Sequence, residues 1–475
     1  MVSCLYSRPP RPKFLVLVLL EQICGDSLEN AAPQFVPGGF RRLLEKGAYF
    51  PDCRHLASTF PASSIATMAT GTWPAQHGIV AGSWYDRTTR NLVTASDEGL
   101  LATTLAAQVA AEPQSTVSVV SLDSWQAGVF AGTPVADRYW MDESGRFVTL
   151  GEPPDWLVNY NGQRPLDSLH DAKWRVAGAK SDAPALRILN FSPDRPREFL
   201  ALYRSSPFAQ NAQFDFAMEL ITRKQLGLGN TFDFLCLVLG STSLLGYETG
   251  SNSPLMQQMV LHVDRQLESL LTQLTKMHGE NGFNLVFAGA HGAPPMPAPE
   301  VRNRMVVNGE NLAETVERNL GVLGSGHVER YLYPFLYLDT SGYRDPEPLR
   351  QAAGRAAMQH PAVANYFTAG GSCSIHTDWD HRFRNSFHAI RSGDVMLSYR
   401  PEYVEEYGQG RGISYGSLYN YDAQTPLCFY GPQFRAGRFE RTVESVDIAP
   451  TLARAIGVAN PSSAVGRVLS EALAR

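Results

Sequence analysis

The chain lacks the features that mark several protein classes. Its 475 residues contain only six cysteines, Cys4, Cys24, Cys53, Cys236, Cys373 and Cys428, and no CxxC pair. Cys24 and Cys236 lie in or beside apolar runs, the usual setting of buried free thiols, so a disulfide framework is not expected. No segment approaches the roughly 20 consecutive apolar residues of a membrane helix. The net charge of −5, with no basic cluster interleaved with aromatics, leaves no electrostatic footprint for nucleic acid. Internal repeats, low-complexity tracts and long linkers are missing too. The one N-terminal apolar run, Phe14 to Leu20, follows Arg8, Arg11 and Lys13 but has no small-residue cleavage site behind it. It reads as a core strand and not as a signal peptide. The expected location is cytoplasmic, or periplasmic if the true start lies upstream. No membrane or nucleic-acid partner is expected, and a protein or small-molecule partner is left unidentified.

What is present fits one large α/β unit. Apolar residues make up 44% and charged residues 18%, enough to bury a sizeable core. Short apolar runs at 14–20, 116–122, 232–239, 283–287 and 427–430 alternate with helical patterns, as in a mostly parallel sheet covered by helices on both faces. Ser253-Pro254 opens the clearest helix, with Met256, Val260, Val263, Leu267, Leu270, Leu271 and Leu274 forming its core stripe. Residues of about 150–225 and about 300–400 lack this rhythm and read as inserted cap regions of a single domain, placed over the C-terminal edge of the sheet.

A set of motifs recurs in order along the chain. It begins with Gly38-Gly39-Phe40-Arg41-Arg42-Leu43-Leu44 and continues with Thr70-Gly71-Thr72-Trp73-Pro74, His77-Gly78-Ile79 and Trp84-Tyr85-Asp86. Tyr139-Trp140, Arg391-Ser392-Gly393-Asp394, Tyr419-Asn420-Tyr421-Asp422 and Asp447-Ile448-Ala449-Pro450 complete it. The series resembles the alkaline phosphatase superfamily with its type I phosphodiesterases and nucleotide pyrophosphatases, most of all the branch of phosphate-irrepressible alkaline phosphatases. The resemblance implies an alkaline-phosphatase-like fold and two zinc ions clamping an in-line phosphoryl transfer. It further implies a Thr or Ser nucleophile at a helix N-terminus and polar side chains on the remaining phosphoryl oxygens.

At the positions so implied, most of the required side chains differ. The first-strand aspartate is Glu21. A gapless count from Thr70-Gly71 puts the nucleophile position on Pro61, with the hydroxyls of Thr59, Ser63 and Ser64 nearby. Ser63 and Ser64 read as helix caps in preference to nucleophiles. The phosphate clamp falls on Gly82, Asp123 and Trp125, and Asp123 would repel a phosphate. One zinc's Asp-x-x-x-His pair is Ser243 and Tyr247, and its third ligand, from a C-terminal His-Gly, is Tyr415. The other zinc's Asp-His-Gly is Ala290-His291-Gly292, so His291 alone is retained, as a hydrogen-bonded structural residue in preference to a ligand. Trp125, Tyr247 and Tyr415 are expected to fill the former metal and phosphate cavity. His77 reads as part of a structural turn and Asp447 as a helix cap. His376, Asp378, Asp380 and His381 form one new ligand-type cluster, best read as a polar turn.

The expectation is a catalytically inactive member of the superfamily, a pseudoenzyme acting in binding or regulation, with no cofactor. The alternative is a phosphomonoester or phosphodiester hydrolase with a displaced or reduced zinc site built on Glu21, His291 and a hydroxyl near Pro61. Below both ranks unrelated chemistry with Asp123, Glu21 or His291 as acid or base.

Overall fold

The computed structural model describes residues 12–474 apart from 58, 133–136, 191–193, 322–323, 325, 372–378 and 409. Its frame is a 10-stranded sheet. The long strands are β1 (Phe14–Leu20), β2 (Ala48–Arg54), β3 (Thr116–Ser121), β4 (Asp137–Met141), β5 (Asp233–Leu239), β6 (Asn284–Gly289) and β7 (Gln424–Tyr430). In space they run β2-β7-β6-β1-β5-β3-β4, extended by short edge strands. β1 pairs in parallel with β5 and β6, β5 with β3, and β3 with β4. The run at 427–430 departs from a parallel reading: β7 lies antiparallel to both β6 and β2. Its uniform apolarity comes from burial on both faces, which an interior antiparallel strand shares with parallel ones.

Alternation along β1 shows why both faces need covering. Leu15, Leu17 and Leu19 join one apolar core, while Phe14, Val16, Val18 and Leu20 join another on the opposite face. The first core is closed by α1 (Pro61–Thr70) and α2 (Ser124–Ala131). The second is closed by α3 (Pro207–Lys224) and α5 (Pro254–His278). Between β5 and α5 stands the short α4 (Ser241–Thr249). In α5 the seven predicted stripe residues are all buried, and Ser253 caps the helix by accepting from the Met256 N–H at 3.2 Å. Asp264 also faces inward. Its carboxylate accepts the Val36 and Phe40 N–H groups at 2.7 Å each, and a Cβ on Gly39 would fall 2.2 Å from it. The Gly38-Gly39 motif is therefore the place where the chain passes under α5.

Within 150–225 the chain forms a two-stranded ribbon, Ala172–Trp174 with Arg187–Leu189, before entering α3. Within 300–400 a four-stranded sheet with its own core packs Leu336, Leu338 and Leu397 against Leu312, Val316 and Leu349 of two helices. No helix among the described residues is long and apolar enough to cross a membrane.

Candidate functional site

The C-terminal ends of β1, β5 and β6 open toward the same place. Glu21 follows β1, Ser243 and Tyr247 sit on α4 after β5, and Ala290-His291 follows β6. Tyr415 reaches them from the segment before β7. Strand ends can converge this way only because β1, β5 and β6 are adjacent and parallel.

The hydroxyl groups form one chain. Tyr415 Oη lies 2.9 Å from Ser243 Oγ and is also hydrogen-bonded to Tyr247 Oη. The Tyr247 ring stacks on Tyr407 at 3.6 Å and on Tyr415 at 4.9 Å. Burial pushes the Tyr415 and Tyr247 phenols above their ordinary range, so both stay neutral at physiological pH. Trp125 takes no part in this stack: it is half-buried at the margin of the first core. The ring stack is made by the two tyrosines with Tyr407, whose contribution was not visible from its local sequence.

Glu21 lies beside the hydroxyl chain, 2% exposed. Its Oε1 accepts from Gln126 Nε2 at 2.6 Å, and Ser243 bonds its carboxyl. Desolvation by burial raises its pKa to about 8, Gln126 opposes the shift and nearby Asp123 adds to it. At neutral pH this carboxyl is mostly protonated and can donate as well as accept. Asp123 itself is ion-paired with Arg204 and caps α2 in a reciprocal box with Gln126. The repulsive charge expected at the phosphate clamp is already neutralised by a partner 81 residues away in sequence. Gly82 is exposed, with open space where a side chain would project.

His291 is fully buried, and its Nδ1 lies 2.6 Å from the Gly292 carbonyl oxygen. A carbonyl accepts, so Nδ1 carries the proton and Nε2 is left as an acceptor without a hydrogen-bond partner. Desolvation lowers its pKa to about 3. Its ring sits 4.2 Å from that of Tyr415. Ala290, the expected neighbouring ligand position, is buried and offers only its backbone.

Pro61, the expected nucleophile position, is the first residue of α1, and the N-cap is Phe60. Ser63 and Ser64 are not caps, as expected from sequence; they lie inside the first turn. A proline preorganised for the first helical position starts the helix earlier than the serines suggest. Ser63 Oγ donates to the Phe60 carbonyl at 3.0 Å. Thr59, fully buried just before the helix, donates to the Ser417 carbonyl at 3.2 Å. Phe60 is held against Tyr415 and Tyr333, and a Cβ on Gly416, whose φ is +117°, would fall 2.6 Å from the Phe60 ring.

Other residues missed in the sequence adjoin this site. His55 Nε2 lies 3.1 Å from both Gly289 O and Thr425 Oγ1, and burial lowers its pKa to about 4. Asp422, in the Tyr-Asn-Tyr-Asp motif, accepts the Gly416 and Ser417 N–H groups; burial raises it to about 7. His77 bonds Thr67 and the Ile79 N–H within its turn, and Asp447 accepts from the Glu444 and Arg467 N–H groups. Of the new cluster, His376 and Asp378 lie outside the described residues. Asp380 and His381 stand on the helix Trp379–Ser386 rather than in a turn, bonded to Arg384 and Asn385 one turn on.

The comparisons with known proteins agree with this frame. Residues 15–404 match the model of the type I phosphodiesterase / nucleotide pyrophosphatase family. The chain belongs to that family. It is 24% identical to the alkaline phosphatase PhoV of Synechococcus elongatus, over 98% of this chain and 93% of the relative. Alkaline phosphatase PafA of Elizabethkingia meningoseptica is also 24% identical, over 98% and 95%. The crystal structure of wild-type PafA superposes with a TM-score of 0.84 at 22% identity, covering 98% of this chain and all of that one. Murine ectonucleotide pyrophosphatase / phosphodiesterase 5 shares the fold more distantly, with a TM-score of 0.58 at 15% identity and coverage of 94% and 95%.

This membership corrects one expectation. Absence of a cofactor does not follow, because the relatives matched over the whole chain belong to a zinc-dependent class of hydrolases. The residues at the corresponding positions do not fit a two-zinc centre, however. Three or more protein ligands per metal are typical, and no group of three or more His, Cys, Asp or Glu that could hold a metal occurs among the described residues. What stands there is one imidazole lone pair, one buried carboxyl and three hydroxyls.

Proposed function

We infer that this family member uses its cleft to bind an uncharged polar ligand, in a recognition or regulatory role, and not for phosphoryl transfer by the two-metal route. The observation that supports this reading is the continuous hydroxyl chain Ser243–Tyr415–Tyr247 beside Glu21. Phosphoryl transfer needs concentrated positive charge and a nucleophile, whereas this arrangement supplies neutral donors and acceptors. Losing one preorganised donor costs on the order of a hundredfold in rate, and here nucleophile, clamp and ligand positions all differ. The effects are not additive, but they act in the same direction.

A second reading is hydrolysis of phosphate mono- or diesters. The likeness to alkaline phosphatases along nearly the whole chain favours it, as does the free Nε2 of His291. Its residues would be Glu21, His291 and Thr59, or failing Thr59 one of Ser63 and Ser64.

The deciding experiment measures turnover of p-nitrophenyl phosphate and bis(p-nitrophenyl) phosphate by the full chain, with added zinc and with a chelator, beside its Thr59→Ala variant. Binding as the role predicts equal, background rates in all four conditions. Chelator-sensitive turnover would overturn it and establish the hydrolase, with its loss in Thr59→Ala naming Thr59 as the nucleophile and its survival pointing to Ser63 or Ser64.

A further inference from the structure

A second cavity lies behind the end of β1, apart from the hydroxyl chain: none of Ser243, Tyr247, Tyr415 or His291 lines it. Its volume is about 780 Å³, within the range of small-molecule sites. Seven of its eighteen lining residues are Asn or Gln, and Asp26 is the one carboxylate; Lys, Arg and His are absent from the lining. Ligands carrying phosphate or sulfate are therefore disfavoured. Met256, Val260 and Leu261 of α5 give one wall an apolar surface, and Tyr421 contributes the one aromatic ring.

Gln22 carries the argument. It is 2% exposed, and neither its Nε2 nor its Oε1 has a hydrogen-bond partner among the described residues. Burying an amide unbonded is unfavourable, so such a group signals a function for its donor and acceptor. Its backbone is also held in the left-handed region at φ +57°, which is uncommon for a non-glycine residue. The amide is pressed onto α4 so closely that a Cβ at Gly246 would lie 1.5 Å from Nε2.

We propose that this cavity is a binding site for a neutral saccharide of one or two rings. Each sugar hydroxyl both donates and accepts, which is what a carboxamide offers in return. The C–H face of a pyranose suits the wall of Met256, Val260 and Leu261. A nucleobase would ask for a flat slot between two platforms, and one tyrosine supplies a single one. Gln22 and the exposed Gln257 on α5, both in the lining, are the specificity-determining groups. The assignment does not depend on whether the neighbouring cleft hydrolyses anything.

The test titrates the full chain by calorimetry with trehalose, maltose and N,N′-diacetylchitobiose, with adenosine and uridine as contrast probes. At least one disaccharide should bind saturably below about 10 mM. Gln22→Leu should weaken it about tenfold, the loss of one buried hydrogen-bonding group. Gln257 is exposed and its change to Leu leaves the core intact, so Gln257→Leu gives the same readout if Gln22→Leu fails to fold. Cys24 lines the cavity and is half-buried, so the bound sugar should also slow its alkylation, followed by mass spectrometry of its peptide. Three results would each overturn the proposal: no saturable saccharide binding, saccharide binding indifferent to both substitutions and to Cys24 labelling, or preference for the nucleosides.

Discussion

Two groups of buried polar residues in the cleft differ in how they meet pH: one stays neutral throughout, and the other pairs an acid and a base shifted in opposite directions. On one side, Ser243, Tyr247 and Tyr415 satisfy one another and stay uncharged through the whole physiological range. On the other, Glu21 and His291 are ionisable groups made neutral by burial, one raised to about 8 and one lowered to about 3. Burial keeps both groups neutral, and the first is further tied together by ring stacking. Substitutions can separate them.

The largest effect is expected on the packed side. Tyr415→Ala removes a buried ring that touches His291, Tyr247 and Phe60, and should cost about 3–5 kcal/mol in urea unfolding. Tyr415→Phe keeps the ring and loses the hydroxyl, for about 1–2 kcal/mol. Equal losses in the two variants would mean that hydrogen bonding, not packing, holds this side.

Glu21→Gln comes next. An acid whose pKa is higher folded than unfolded binds more protons in the folded state, so its stabilising contribution is present below about 4.5 and lost as pH rises through about 8. The wild type should therefore lose stability on the alkaline side, and the variant should lose a few kcal/mol less by pH 9. Asp422 and Glu405, raised to about 7 and 8, act in the same direction and leave a residual slope. Parallel pH profiles for wild type and Glu21→Gln would refute a buried, protonated Glu21.

His291→Gln probes the opposite limb. A histidine depressed to about 3 contributes stability above about 6.5 that is lost as pH falls toward 3. The variant should lose a few kcal/mol less on acidification, while His55 and His77, depressed to about 4 and 3, leave a residual slope. The smallest change is Asp123→Asn. Its pairing with Arg204 is partly solvated, so unfolding should shift by less than about 1 kcal/mol. A larger loss would make that pair a structural tie between α2 and the helix Pro196–Arg204.

The ordered motifs and the strand ends made most of the fold legible. Glu21, Ser243, Ala290 and His291 could be placed together because they follow three apolar runs that form neighbouring parallel strands. The direction of β7 was not legible, since uniform burial erases the alternation that marks an antiparallel strand. Pairings distant in sequence were hidden as well: Arg204 with Asp123, Asp264 with the turn before Phe40, and Tyr407 with Tyr247. Local sequence reports how a residue prefers to fold. It does not report which distant group will neutralise it.

The contact between Ser243 and the buried Glu21 also ties the two positions together. An aspartate at 243 alone would set a second carboxyl against Glu21, a pairing that one of them can escape only by keeping its proton. A histidine at 247 alone would abandon the stack on Tyr407 and the hydroxyl bond to Tyr415. Either change made singly loses contacts that its neighbours depend on, so these positions tolerate concerted replacement better than replacement one codon at a time.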